Sequence, residues 1–176
     1  DTLFGEDNGS LESLGVKIDY INLKNGEFDE EKIFKAVENL KPRAVFVQKS
    51  RGYSDRKAIS VEKMKPVFEK IKQLSPNTFI MVDNCYGEFV ETQEPTNVGA
   101  DLCMGSFIKN LGGSLAPTGG YIVGSKKAIE CVERRYTCPS LGRETGSYEP
   151  GYRLFYQGLF MSPHVVSQAI KGSYLI

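Results

Sequence analysis

The segments MVDNCYGEF (residues 81–89) and MGSFIKNLGG (residues 104–113) contain side chains that could do chemistry together. In the first, the carboxylate of Asp83 directly follows an apolar run; in the second, the amine of Lys109 comes three residues after the hydroxyl of Ser106. Burying a carboxylate is costly unless it is paired, and an amine that loses its proton on burial becomes a nucleophile. Each residue alone has an ordinary structural explanation, a helix cap or ion pair for Asp83 and a solvated surface position for Lys109. The pair is more informative than either residue.

The pattern of apolar residues predicts the elements that would position this pair. Continuous apolar runs typical of buried parallel strands are RAVFVQ, TFIMVD, ADLCMGS and GGYIVG, and VKIDYINL (residues 16–23) alternates as a further strand would. Helices are predicted after the N-caps Asp29 and Ser60 and over SKKAIECVERR, and residues 158–170 are predicted to be part of a further helix. Polar residues predict a loop at 139–151. The alternation of strands and helices predicts an α/β fold with a mostly parallel sheet and helices on both faces.

Polar residues follow three of the predicted strands at the point where each strand ends. In open parallel sheets, ligands bind beyond the carboxyl ends of the strands, so these side chains are expected to face one crevice. They are Gln48, Ser50 and Arg51 after the first of these strands, Asp83 and Asn84 after the second, and Ser106 and Lys109 after the third.

A crevice with these groups has the parts that a pyridoxal 5'-phosphate site needs. A lysine amine forms a Schiff base with the cofactor aldehyde, and a carboxylate keeps the pyridine nitrogen protonated so that the ring accepts electrons. Hydroxyls and the backbone N–H groups of glycine-rich turns hold the phosphate. Lys109, Asp83 and Ser106 could fill these roles, and an arginine could not replace the lysine because its guanidinium keeps its proton.

The composition excludes several other classes of function. Lysine plus arginine equals aspartate plus glutamate at 22 each, which predicts no nucleic-acid partner and no anionic membrane surface as a partner. The apolar runs are strand-sized and predict no membrane span, and no secretory leader is visible. With a single histidine and no Cys-x-x-Cys pair, the cysteines predict free thiols and no metal site; they are Cys85, Cys103, Cys131 and Cys138. A reduced, cytoplasmic protein is therefore expected.

The same residues carry a resemblance to a known family. VDNCYGEF followed by GSFIKNLGG resembles the fold-type I pyridoxal-phosphate enzymes, and among them the cysteine and methionine metabolism branch of cystathionine lyases and methionine γ-lyases. The sequence is most similar to the bacterial methionine γ-lyase-like group known as aluminium-resistance proteins, which VFVQKSRGYS, APTGGYIVG and YQGLFMSPHVV also resemble. The resemblance implies that residues 1–176 are the central part of the cofactor-binding large domain, without the N-terminal segment and the C-terminal small domain. It also implies a homodimer or homotetramer, because such enzymes usually build each active site from two subunits.

Carried over position by position, the resemblance implies roles for four residues. Lys109 is the Schiff-base lysine, Asp83 is the partner of the pyridine nitrogen, and Ser106 is a hydroxyl that binds the cofactor phosphate. Asn84 matches the Asp-Asn pair of these lyases and is assigned to the cofactor site. The chain departs from the better-known lyases at Ile108, where they usually have a threonine directly before the lysine.

Three functions are compatible with these residues. The main hypothesis is a pyridoxal-phosphate-dependent lyase that splits the C–S bond of a cysteine-, cystathionine- or methionine-like amino acid. An aminotransferase or a γ-replacement enzyme stays open, because residues around the substrate set the reaction type. A non-catalytic α/β binding module that kept the fold is the third.

A few further residues have both a functional and a structural interpretation. Arg51 could bind a substrate carboxylate or be a solvated loop residue. Tyr53 and Tyr86 could line the crevice or pack as half-buried side chains. Cys85 and His164 are interpreted as structural residues, since a buried thiol is usually inert and a catalytic histidine would need a partner.

Overall fold

The structure, a computed structural model, describes residues 3–5, 9–136, 141 and 150–176. Cys138 and most of the loop predicted at 139–151 lie outside the described residues. The helices are α1 (Glu30–Leu40), α2 (Val61–Leu74), α3 (Lys126–Tyr136) and α4 (Arg153–Ser173). The strands are β1 (Ala44–Gln48), β2 (Phe79–Asp83), β3 (Leu102–Ser106) and β4 (Gly120–Gly124). Short 3-10 helices lie at Pro95–Val98 and Asn110–Gly112.

The four strands form one sheet in the order β1-β2-β3-β4. β1, β2 and β3 are parallel to one another, and β4 runs antiparallel to β3. The predicted α/β fold with a mostly parallel sheet is confirmed.

One face of the sheet carries the core. Successive side chains of a strand point to opposite faces, and Val47, Ile80 and Val82 point to the face covered by α1 and α2. The helical residues of this core are Val37, Val61, Met64, Val67, Phe68 and Ile71. On the other face, Met104 and Ile122 line a groove together with apolar residues of α3. Helices therefore lie on both faces of the sheet.

The predicted helix starts are confirmed at atomic detail. The Asp29 side chain accepts a hydrogen bond from the backbone N–H of Lys32 at 3.3 Å, and the Ser60 hydroxyl accepts one from Lys63 at 3.4 Å. Side chains of these types satisfy N–H groups that have no partner inside the helix. Residues 158–170, predicted to be part of a helix, lie within α4, which continues through Pro163.

The strand predicted at residues 16–23 is wrong. The structure has no ladder there, and the nearest pairing is an isolated bridge between Lys24 and Glu27. Leu23 packs against the core, but Tyr20 is 71% exposed. Alternating polarity describes only which side chains are covered, whereas a strand also needs a neighbouring backbone to pair with.

No helix in the described part of the chain has the length and apolar character needed to cross a membrane. Within the same residues, the acidic, histidine and cysteine side chains form no group of three or more that could hold a metal ion.

Asp101 joins three elements of the fold, and its removal is expected to destabilise the protein. Its Oδ2 accepts a hydrogen bond from the backbone N–H of Ile80 at 2.7 Å and lies 2.6 Å from the amine of Lys72 on α2. Asp101→Ala would leave a β2 N–H without its partner, which costs about 1–3 kcal/mol of unfolding free energy. Urea unfolding of the full-length protein measures this loss. Asp101→Asn keeps an acceptor for Ile80 and should lose less; equal losses would assign the effect to the ion pair instead.

Candidate active site

Asp83 lies at the end of β2, between the ends of β1 and β3. The register places it opposite Gln48 of β1 and Met104 of β3, and Ser106 ends β3 at the same edge. The Asp83 Oδ1 accepts a hydrogen bond from the backbone N–H of Cys85 at 3.0 Å. This turn holds the carboxylate half-buried at the carboxyl edge of the sheet.

Lys109 lies in a tight turn that continues from β3. Its backbone N–H donates to the Ser106 carbonyl at 3.3 Å, and the Ser106 hydroxyl accepts a hydrogen bond from the Ile108 N–H at 3.3 Å. The turn reverses the chain within a few residues of the strand end. It therefore keeps Lys109 close to the edge where Asp83 lies.

Two glycines after the lysine let this turn pack directly on α4. A Cβ on Gly113 (φ 54°) would lie 2.2 Å from the Gly158 carbonyl oxygen, and a Cβ on Gly158 would lie 2.2 Å from the Gly112 carbonyl oxygen. The Ser162 hydroxyl of α4 also donates to the Leu111 carbonyl at 2.6 Å. The N–H groups of Gly112 and Gly113 donate within the turn. These glycines therefore fix the position of the lysine turn by close backbone contact.

The Lys109 amine lies over the face of the Tyr86 ring, 4.6 Å from its centre. Burial lowers the pKa of Lys109, but the neighbouring Cys85, Tyr86 and Asp83 side chains outweigh this effect, and the pKa ends above its ordinary value. Burial alone would have produced the lowered pKa expected from the sequence. The structure brings the predicted lysine and aspartate together, with the amine in its charged form.

Cys85 is half-buried between these two residues. Burial raises the pKa of its thiol and Asp83 raises it further, while the Ser106 backbone and Lys109 act in the opposite direction. The thiol therefore keeps its proton, as a structural cysteine would.

A groove of about 540 Å³ opens beside Asp83 on the α3 side of the sheet. Asp83, Cys85 and Ser106 line one end of it, and most of the α3 wall is apolar. Polar groups at one end of an apolar groove suit a small ring with polar substituents. The carboxylate and the hydroxyl are groups of the kinds that bind pyridoxal phosphate. The Lys109 amine interacts with Cys85 and Asp83 of this lining but is not itself among the residues that line the groove.

The structure places the other predicted residues away from this groove. Asn84 is 1% exposed, and its Nδ2 donates to Glu94 at 2.8 Å and to the Tyr121 hydroxyl at 3.5 Å. Its contact with the cofactor stays a prediction. Arg51 lies in the exposed loop after β1, outside the residues that line the groove, and its contact with substrate also stays a prediction. His164 is exposed on α4.

The buried Glu88 and the half-buried Tyr121 form a pair that sequence reasoning missed. Glu88 is 2% exposed, and its Oε1 accepts a hydrogen bond from the Tyr121 hydroxyl at 2.8 Å. A glutamate in a short polar segment after a strand is ordinarily solvated, and local spacing carries no information about a partner on β4. The sequence signal for this pair is the glycine at position 105. The structure explains it, because a Cβ at Gly105 would lie 2.5 Å from the Glu88 Oε1.

Cys103 and Cys131 are expected to differ strongly in reactivity. Cys103 is 2% exposed, and burial raises its pKa to about 12, so at pH 8 about one thiol in ten thousand is ionised. Cys131 is exposed on α3. Iodoacetamide should modify Cys131 at least about a hundredfold faster in the folded protein, measured by peptide mass mapping. The control is modification in urea, where both cysteines should react at equal rates. Equal rates in the folded protein would contradict the burial of β3.

Known proteins similar to this chain form a consistent group. A family model described as methionine gamma-lyase matches residues 2–176. The uncharacterized protein YnbB of Bacillus subtilis (strain 168) is 44% identical over 170 residues, which are 96% of this chain and 40% of that protein. A solved structure from Listeria innocua, a candidate cystathionine beta-lyase involved in aluminum resistance, is 44% identical with a TM-score of 0.89, over 96% of this chain and 41% of that one.

A second solved structure agrees with these. The carbon-sulfur lyase involved in aluminum resistance from Clostridium novyi NT is 42% identical with a TM-score of 0.86, over 93% of this chain and 39% of that one. The chain thus spans about two fifths of the length of each of these three relatives. These relatives confirm the resemblance stated from the sequence.

Proposed function

Because the chain belongs to the methionine gamma-lyase family, we propose that it is part of a pyridoxal-phosphate-dependent lyase. Its substrate is a small sulfur amino acid, and its reaction is cleavage of a C–S bond in a cysteine-, cystathionine- or methionine-like molecule. The observation that carries the proposal is the Lys109 amine beside Asp83 at the carboxyl ends of β2 and β3.

The residues at this edge suit the cofactor by the chemistry of their side chains. Lys109 would hold the cofactor through its amine, Asp83 would bind the pyridine nitrogen, and the Ser106 hydroxyl would bind the phosphate. Asn84 is a proposed further contact with the cofactor, and Arg51 is a proposed contact with the substrate carboxylate. When bound, the cofactor supplies an electron sink for the negative charge that develops at the substrate α-carbon.

The protein itself contributes proton transfer and charge placement. The Lys109 amine takes the proton from the substrate α-carbon. Its raised pKa keeps it charged in the free protein, so it must give up a proton before it acts as a nucleophile or a base. The hydrogen bond from the Cys85 N–H to the Asp83 Oδ1 fixes the carboxylate that would bind the pyridine nitrogen.

We further propose that residues 1–176 are the central part of a fold-type I cofactor-binding large domain. The TM-scores of 0.89 and 0.86 with lyase-like structures support this placement. From the family resemblance we also propose a homodimer or homotetramer, which analytical ultracentrifugation of the full-length protein would test, and from the free cysteines a cytoplasmic location.

Borohydride reduction of the full-length protein with added pyridoxal phosphate, followed by peptide mass mapping, tests the cofactor and its lysine together. We expect a stable adduct on the peptide that contains Lys109. Lys126 and Lys127, exposed at the start of α3, are internal controls for non-specific labelling. A dominant adduct on another lysine would remove Lys109 from its role, and no adduct on a folded protein would favour a non-catalytic module.

Product analysis then separates the possible reactions of a cofactor-bound protein. A lyase releases a thiol, ammonia and a keto acid from a sulfur amino acid. An aminotransferase moves the amino group to an added keto acid without releasing a thiol, and a γ-replacement enzyme needs a second thiol. Release of thiol and ammonia without any added acceptor is the expected result.

A further inference from the structure

The segment that follows β2 has a backbone conformation that its own residues disfavour. Tyr86 and Phe89 have φ values of 68° and 61°, in the left-handed region that bulky residues rarely adopt. Such conformations persist where surrounding contacts hold them. Because the Tyr86 ring faces the Lys109 amine, whatever holds this segment also affects the proposed site.

Glu88 is the buried anchor of the segment. Its Oε1 accepts the hydrogen bond from the Tyr121 hydroxyl of β4 at 2.8 Å. Its backbone carbonyl accepts a hydrogen bond from the Asn110 Nδ2 at 3.2 Å. Asn110 directly follows Lys109, so one residue is bonded both to the sheet and to the lysine turn.

The backbone of β3 leaves room for this carboxyl group. Gly105 directly precedes Ser106, and a Cβ there would lie 2.5 Å from the Glu88 Oε1 and 2.7 Å from the Tyr121 Cε1. A second brace lies at Glu94, which accepts hydrogen bonds from the Asn84 Nδ2 and, at 2.9 Å, from the Phe89 N–H. The segment is therefore held by hydrogen bonds of Glu88 and Glu94 close to both Asp83 and Ser106.

The surroundings of Glu88 work against ionisation of its carboxyl. Burial raises the pKa of its carboxyl, and the charges of Glu94 and Asp83 raise it further, against the hydrogen bonds from its own backbone and from Tyr121. Its Oε2 has no hydrogen-bond partner among the described residues, which would be costly for an ionised carboxylate. A glutamine of the same shape keeps an oxygen acceptor for the Tyr121 hydroxyl and should therefore serve nearly as well.

We propose that Glu88 is a positioning residue of the active site, which holds the segment after Asp83, including Tyr86, in place relative to Lys109. Its importance for a reaction rests on the proposed function, while its structural effect does not.

Hydrogen exchange in the full-length protein tests the structural effect. Amide exchange would be compared by mass spectrometry for peptides covering residues 84–91 and 106–113, with α1 as the internal reference. Glu88→Ala is expected to exchange roughly tenfold faster in both peptides and unchanged in α1. Tyr121→Phe should show a smaller increase, and Glu88→Gln should stay within about twofold of the wild type. Glu69→Ala, which removes an exposed carboxylate from α2, is the matched control and should change nothing.

The apparent pKa of the cofactor absorbance band is a second measurement, and general destabilisation of the protein would not shift it. The absorbance of the lysine-bound cofactor would be titrated against pH, because Asp83, Cys85 and Tyr86 face the amine. Glu88→Ala should shift the apparent pKa of this band by at least about half a unit, and Glu88→Gln should restore the wild-type value.

The outcomes separate this inference from the proposed function. A folded Glu88→Ala protein with wild-type exchange at residues 106–113 would overturn the inference, and so would equal acceleration in α1. If Glu88→Ala does not fold, Tyr121→Phe decides by the same criteria. Exchange differences without any borohydride adduct in the wild type would remove the proposed function and keep the positioning role. A borohydride adduct in the wild type without exchange differences in the variants would keep the proposed function and remove the positioning role.

Discussion

Lys109→Ala is expected to slow C–S cleavage by about 10²- to 10⁴-fold from the loss of proton transfer alone. In the proposed mechanism the same amine holds the cofactor and takes the α-proton, so no neighbouring group replaces both roles. Cys85 keeps its proton because its pKa is raised. The measurement is the steady-state kcat with a sulfur amino acid and excess pyridoxal phosphate.

Lys109→Arg is the matched control for the charge of this residue. A guanidinium can stay over the Tyr86 ring, where the lysine amine lies 4.6 Å from its centre. It does not give up a proton near neutral pH and therefore cannot act as a base. The arginine variant should be as inactive as the alanine variant, whereas Lys127→Ala should keep its activity. An arginine variant within tenfold of the wild type would show that the site needs only the charge.

Phe68→Ala is expected to lower the free energy of unfolding by about 3–5 kcal/mol. Phe68 lies on α2 with 0% of its surface exposed, among the side chains that cover β1 and β2. Alanine would lose the burial of the ring and leave a cavity that the neighbouring strands can close only in part. The shift in the urea midpoint, with the slope held constant, measures the loss.

Phe160→Ala is the control for this prediction. Phe160 is 83% exposed on α4, and its replacement should change the unfolding free energy by no more than about 0.5 kcal/mol. Similar losses for the two variants would contradict the location of the core between the sheet and α2.

The sequence predicts the fold well where a local signal has one structural meaning. Asp29 and Ser60 have side chains that accept N–H bonds at the start of an apolar helical pattern, and both caps are present. The apolar runs of β1 to β3 are strands as predicted, but β1 is not buried on both faces, since Phe46 is 44% exposed. Residues 16–23 fail because alternation does not specify a pairing partner, and partners come from distant parts of the chain.

The same limit applies to the candidate site. Asp83 and Lys109 could be placed together because both follow strands that end at one edge. The direction of the Asn84 side chain depends on Glu94 and Tyr121, which no spacing in the sequence connects to it. The raised pKa of Lys109 likewise depends on Cys85 and Tyr86, whose conformations arise from a left-handed turn that a tyrosine does not signal.

The close contact between the backbone of Gly158 on α4 and that of Gly112 in the lysine turn has a genetic consequence. A single methyl group at Gly158 would meet the Gly112 carbonyl at 2.2 Å, so the turn would have to move and carry the amine with it. A random screen for inactive alleles should therefore recover substitutions at Gly158 beside those at Lys109, although Gly158 has no side chain to offer a substrate. Intragenic suppressors of such alleles should map to the segment that follows β3.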